Sequence, residues 1–155
     1  MEIREASIED AAPACLVVRR SITELCHADH QHDAPTLVLW LANRTPETMR
    51  RWFESHHAYV ASEGAAVIGV GIIKSCGEII LNHVSPEARF RGVSKAMVAR
   101  LEARAGALGV DAVTAQSSAT ALRLYLSAGY KPLGPPTRGC GVTFCHPMSK
   151  QLGSG

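Results

Sequence analysis

No apolar run in this sequence approaches the roughly 20 residues that a helix needs to cross a bilayer, so no membrane-spanning helix is expected. Net charge is also scarce. Sixteen Lys and Arg against 14 Asp and Glu leave +2, too little to mark a binder of nucleic acid or membrane surfaces. Basic sites are therefore expected to be local. The opening stretch MEIREASIED is charged and has no signal-peptide core, which points to the cytoplasm. The cysteines number five, odd and scattered, and fit reduced thiols rather than a disulfide framework. No internal repeat or low-complexity linker interrupts the 155 residues, a length that suits one domain with a core large enough to fold without staples.

What is present centres on Glu78 to Leu101. Ile79 to Val84 is apolar and largely β-branched, and reads as a strand that must stop before Pro86, which cannot continue a hydrogen-bonded ladder. Beyond it Val93, Met97, Leu101 and Ala105 recur at every fourth position, one face of a helix, while Lys95, Arg100, Glu102 and Arg104 fall to solvent. Between strand and helix lies Arg89-Phe90-Arg91-Gly92-Val93-Ser94. A helix start exposes unpaired N–H groups at the positive end of its dipole, and a glycine lets a bulky anion come close to the main chain. With Arg89, Arg91 and Lys95 nearby, the turn is a candidate diphosphate cradle.

This stretch resembles the acetyl-CoA binding motif of the GNAT superfamily of N-acetyltransferases, a strand ending in V-x-P followed by Q/R-x-x-G-x-G/A at a helix start. The matching positions are Val84, Pro86, Arg89, Gly92 and Ser94. Ser94 departs, standing where the family prefers Gly or Ala. The family's second motif, a short helix with a tyrosine followed by G-Y/F, is matched by Ala121, Tyr125, Gly129 and Tyr130. The resemblance runs from Ile3 to about Met148, in its N-terminal third by pattern only. It implies a single-domain α/β (α+β) fold over residues 1–148, with a mixed, mostly antiparallel sheet flanked by helices and two central parallel strands splayed to admit acetyl-CoA. The tail, 149–155, is polar and expected to fray. Homodimers are common in the family, and no residue here argues for one.

Taken in order, Glu2 to Ala6 alternates as a first strand, and Asp10 is a reasonable N-cap for a helix carrying Cys15, Val18, Ile22 and Leu25. The histidine-dense stretch Cys26 to Asp33 reads as a polar loop bordering the acceptor pocket. It offers metal-ligand residue types, but no second ligand pair follows at a spacing that would close a site, so no metal is expected. Leu37 to Leu41 is a short apolar helix, and Thr45-Pro46-Glu47 opens another through Phe53. Tyr59 to Ser62 and Ala65 to Lys74 are antiparallel strands. After the central helix, Asp111 to Gln116 is a strand, parallel to the central one because a helix separates them. Ser118 is positioned to cap a helix from Ala119 to Ala128, and Lys131 to Leu133 and Val142 to Cys145 are the last strands.

Acetyl transfer needs a base for the amine, donors for the oxyanion and a proton for the departing thiolate. The resemblance makes Glu78, six residues before Val84, the general base, acting directly or through water, with Asn82 and His83 as reserve polar groups on the same strand. Main-chain N–H groups near Asn82 to Val84 are the expected oxyanion donors, freed by a bulge. The resemblance also makes Tyr125 the general acid. Phe90 to Ser94 would hold the diphosphate through their N–H groups, with Arg89, Arg91 and Lys95 as side-chain partners and Arg123 a further phosphate candidate. Transfer directly from acetyl-CoA to a primary amine is expected over a covalent route, since no cysteine lies in either motif. The alternative is an acyl-CoA binding domain without turnover. Polyamines, antibiotics, amino acids and protein termini all stand as acceptors.

Overall fold

The computed structural model describes residues 1–153. Strand β1 (Glu2–Glu5) leads through a single helical turn into α1 (Ala11–Leu25). Asp10 stands at the cap position of α1 without capping it. Its carboxylate instead accepts from Arg4 at 2.8 and 3.0 Å and from the Ser7 N–H at 2.8 Å. The histidine-dense stretch is not a loop: α2 (His27–His30) is one helical turn, ended by Gln31 and His32 at φ of 52° and 58°. Helices α3 (Ala34–Leu41) and α4 (Pro46–Ser55) follow, each capped by the side chain before a first-turn proline, Asp33 and Thr45 respectively.

The sheet comprises β2 (His57–Glu63), β3 (Ala66–Ile73), β4 (Glu78–Val84), β5 (Ala112–Ser117) and three C-terminal strands, β6 (Lys131–Pro132), β7 (Thr137–Arg138) and β8 (Phe144–Gln151). Its order is β1-β2-β3-β4-β5-β8-β6, with β7 also on β8, and every pairing is antiparallel except β4 with β5. The crossover between those two is α5 (Val93–Ala107). α6 (Leu122–Ser127) follows β5 and starts later than expected, because residues 119–121 form turns rather than a first helical turn.

The two faces of the sheet carry separate cores. On one, Val93, Met97, Leu101 and Ala105 of α5 pack with Ile79, Val113, Tyr125 and Met148. On the other, Val18 and Ile22 of α1 pack with Val60, Val70, Ile72 and Leu81. Helix α5 lies close to β3 because Gly71 has no side chain: a Cβ there would fall 2.5 Å from Met97 Cγ. Truncating Met97 or Leu101, both essentially unexposed, to alanine should cost about 2–5 kcal/mol.

Strand β8 corrects two expectations. It begins at Phe144 rather than Val142, and it continues through Ser149, Lys150 and Gln151, which pair with Thr114, Val113 and Ala112 instead of fraying. The polar letters misled because this strand buries Met148 while Lys150 reaches Glu102 at 3.0 Å. The folded unit thus passes residue 148, with the Leu152 N–H donating to Asp111 O at 2.8 Å. Ser154 and Gly155, the end of the expected tail, lie outside the described residues.

Candidate active site

Strands β4 and β5 are in register at only two positions, Glu78 with Thr114 and Ile79 with Ala115. The next residue, Ile80, is the extra one in a bulge: β3 pairs Ile73 with Ile79 and Ile72 with Leu81, skipping it. The bulge was expected nearer Asn82 to Val84; it lies before them. By inserting one residue it reverses the alternation, so Asn82 follows the α5 face and His83 the α1 face. The strands then part, and two cavities open at the parting. One, of about 520 Å³, runs between the turn before α5 and the start of α6; the other, of about 490 Å³, lies between α3, β8 and the C-terminal end of β4. Asn82, His83, Ser118 and Ala121 line both.

The first cavity is floored by the basic turn. A short helical turn, Pro86–Ala88, is followed by Phe90 at φ 65° and Gly92 at φ 79°, and α5 starts at Val93. A Cβ on Gly92 would meet nothing within 4 Å, so the glycine is needed for its left-handed conformation, and the space above it is open. The Arg89 N–H is taken by Pro86 O and that of Ala96 by Gly92 O, while the N–H groups from Phe90 to Lys95 have no protein acceptor among the described residues. Arg89, Phe90, Gly92, Val93, Ser94 and Lys95 line this cavity, as does Val84 at the strand end. Arg123 joins them from α6. Arg91 does not. Its guanidinium turns away to Glu63 at the β2–β3 hairpin, an exposed pair that removes it from the expected phosphate side. Phe90 is 89% exposed, with the Arg89 guanidinium 4.5 Å from its ring centroid.

At the junction stands Tyr125, buried, its ring edge-on to Tyr130 with centroids 5.1 Å apart. Burial pushes its phenol up to about 12, an effect the neighbouring Asn82 amide opposes. Asn82 approaches without completing a hydrogen bond: both Nδ2 and Oδ1 are buried and unpaired. His83 looks the other way, with Nδ1 3.0 Å from Ser21 Oγ. Burial first, and the Arg44 charge second, hold its imidazole down to about 3, so it is neutral at ordinary pH. Glu78 does not line either cavity. It sits at the opposite end of β4, before the bulge, 3.6 Å from Lys74 Nζ.

Several residues here escaped sequence reasoning. The Asp29 carboxylate accepts from Ala119 N at 2.6 Å, Thr120 N at 3.1 Å and Thr120 Oγ1 at 2.5 Å, clamping the turn that leads into α6 and Tyr125. No local pattern connects positions ninety residues apart. Arg44 lines the second cavity and lies over Trp52, 5.5 Å from the ring centroid; Trp40 lines it too, while Trp52 packs in the core. Cys140 and Cys145 also line it, and Cys26 lines the first. Burial pushes the Cys26 thiol up to about 12 and raises that of Cys145, making both poor nucleophiles. Among the described residues no group of three or more His, Cys, Asp or Glu is placed to hold a metal ion, and no helix is long and apolar enough to cross a membrane.

The sequence model of the acetyltransferase (GNAT) domain matches residues 31–152. The chain belongs to that family. This acetyltransferase also shares its fold with solved structures at low identity. A GCN5-related N-acetyltransferase from Rhodopseudomonas palustris is 21% identical with a TM-score of 0.87, covering 97% of this chain and 95% of that one. The PaiA N-acetyltransferase from Thermoplasma acidophilum, solved with coenzyme A, is 18% identical at 0.82, with 97% and 98% covered. YncA from Salmonella typhimurium, solved with acetyl-CoA, is 18% identical at 0.75, with 100% and 95% covered. No curated protein sequence matches the chain.

Proposed function

We propose that this acetyltransferase moves the acetyl group of acetyl-CoA directly to a primary amine in a ternary complex, with the coenzyme in the larger cavity and the acceptor in the other. The observation that carries this reading is the run of unpaired N–H groups from Phe90 to Lys95, opening on a cavity that meets a second one beside Tyr125. Helix α5 has 15 residues, and its aligned dipole supports an anion at that end. The diphosphate is held there by the main chain, with Arg89 and Lys95 supplying charge and Gly92 the clearance. Two proteins that share this fold were solved with coenzyme A or acetyl-CoA, which supports the coenzyme as the ligand.

The pantetheine arm then runs past Val84 into the gap between β4 and β5. There Asn82 supplies an amide donor and acceptor that the protein leaves unpaired. The amine attacks the thioester carbonyl, a C–N bond forms, the C–S bond breaks, and the thiolate takes a proton from the Tyr125 hydroxyl. A phenol near 12 is a weak acid against an ordinary thiol near 8.5. Burial in the groove narrows the mismatch, because desolvation makes a thiolate there more basic; Cys26, on the wall of the coenzyme cavity, is pushed up to about 12 by burial first and the Asp29 charge second.

The amine's proton leaves through water, with Glu78 as general base at one remove. That indirect form fits a carboxylate paired with Lys74 off the cavity wall. Direct transfer is favoured over an acetyl-cysteine because burial raises the thiols of Cys26 and Cys145. The test is coenzyme thiol release with a panel of amines. The reading expects acetylated amine in step with free thiol, and coenzyme binding without thiol release from any amine would overturn it in favour of a binding domain.

A further inference from the structure

The acceptor cavity contains an arginine with no carboxylate to answer it. Arg44 lines the cavity, and its Nε is buried without a hydrogen-bond partner. Among the described residues its one side-chain bond is Nη1 donating to the neutral Asn43 Oδ1. Its main chain is pinned, because Arg44 O accepts from Cys15 Sγ at 3.2 Å and from Arg19 Nη1 at 2.9 Å. The guanidinium carbon lies over the Trp52 ring, 5.5 Å from its centroid. The position is thus built, not a solvated side chain that happens to turn inward. A cation partly removed from water without a counter-charge costs free energy, and a fold keeps one where something else supplies the charge.

The cavity offers no alternative anion of its own. Among the described residues Asp29 is the sole Asp or Glu on its wall, and both its oxygens already accept from Ala119 and Thr120. With those oxygens already engaged, no free carboxylate oxygen is left on the described wall to receive a polycationic amine. The rim is apolar: Leu39 and Phe144, 57% and 49% exposed, line the same cavity with Trp40.

We propose that the acceptor is an amine that also carries a carboxylate, an amino acid with an apolar side chain, and that the Arg44 guanidinium receives that carboxylate inside the cavity. This rests on the acetyl-transfer reading above and narrows its substrate class. Arg44 is here a specificity residue. Its planar fork suits a carboxylate bidentately, while Leu39, Trp40 and Phe144 cover the apolar body.

The test compares leucine and phenylalanine with 3-methylbutylamine and 2-phenylethylamine, which lack only the carboxylate, and with spermidine, using the native protein and acetyl-CoA. The amino acids should show kcat/KM higher by roughly ten- to a hundredfold, the worth of a charged hydrogen-bonded pair. In Arg44→Gln that ratio should fall towards one through loss on the amino acids alone. If the decarboxylated amines or spermidine serve as well in the native protein, the proposal is wrong. If no amine releases thiol, acetyl transfer itself fails, and calorimetric titration of the coenzyme A-loaded protein still decides the acceptor. Binding of leucine but not of 3-methylbutylamine sustains the proposal; equal binding, or none, overturns it.

Discussion

Asn82 on β4 comes up to the Tyr125 phenol of α6 across the gap in the sheet, and neither polar atom of its amide is hydrogen-bonded. A buried unpaired polar group costs about 1–3 kcal/mol. The fold tolerates that cost where a ligand's own amide or carbonyl would complete the pairing. Replacing Asn82 by leucine, similar in shape and without polar atoms, should therefore leave the melting temperature unchanged or raise it. Thiol release should fall at least about tenfold, since a ligand hydrogen bond is lost at the reacting centre. Thermal unfolding and a turnover assay on the one variant check both halves.

Removing the Tyr125 hydroxyl should separate chemistry from binding. Tyr125→Phe is expected to lower kcat by roughly a hundredfold, within the range of positioned acids, with coenzyme affinity and melting temperature little changed. The proposed acid role needs the phenol protonated, and burial first pushes it up to about 12, so that form persists throughout ordinary assay conditions. No fall in rate from its ionisation should appear up to about pH 10. His83, held down to about 3, is uncharged over the same interval and contributes no acid limb above about pH 5. A pH–rate profile of the native protein tests both; an alkaline loss near about pH 9 that vanishes in Tyr125→Phe would contradict this placement.

Asp29 ties α2 to the turn before α6 through three hydrogen bonds. Asp29→Ala leaves two partly exposed main-chain donors and a hydroxyl without their acceptor, and should destabilise the fold by about 1–3 kcal/mol. Asp29→Asn keeps one acceptor oxygen and should lose less. Because the turn leads into α6, which carries Tyr125, kcat should fall in both variants while the coenzyme dissociation constant moves less. Chemical denaturation and steady-state kinetics read the two effects separately.

Gly92 holds φ 79° with open space where a side chain would point. Gly92→Ala meets no clash, so its cost is conformational, about 1–2 kcal/mol for an L-residue in the left-handed region. Relief of that strain turns the adjacent N–H groups away from their common target. Coenzyme affinity should fall roughly tenfold, measurable by calorimetry.

The strand–turn–helix geometry before α5 was legible in the sequence because its punctuation is local. Pro86 ends a strand, Gly92 permits a left-handed residue, and Val93, Met97, Leu101 and Ala105 form the buried helix face as spaced. The parallel pairing of β4 with β5 followed from the helix between them. The Ile80 bulge was misplaced because every residue from Ile79 to Leu81 is apolar, and such a run carries no mark of which one is extra. Ser149 to Gln151 looked like a tail because an edge of β8 is half-solvated. Arg91 went to Glu63, and Arg44 and Asp29 came to the site, through contacts set by tertiary packing rather than by spacing.

The most direct measurement is a crystal structure of the protein with acetyl-CoA. The account predicts the diphosphate on the N–H groups between Phe90 and Lys95, and the thioester in the gap beside Asn82 and Tyr125. A diphosphate bound elsewhere, or a thioester outside that gap, would contradict it.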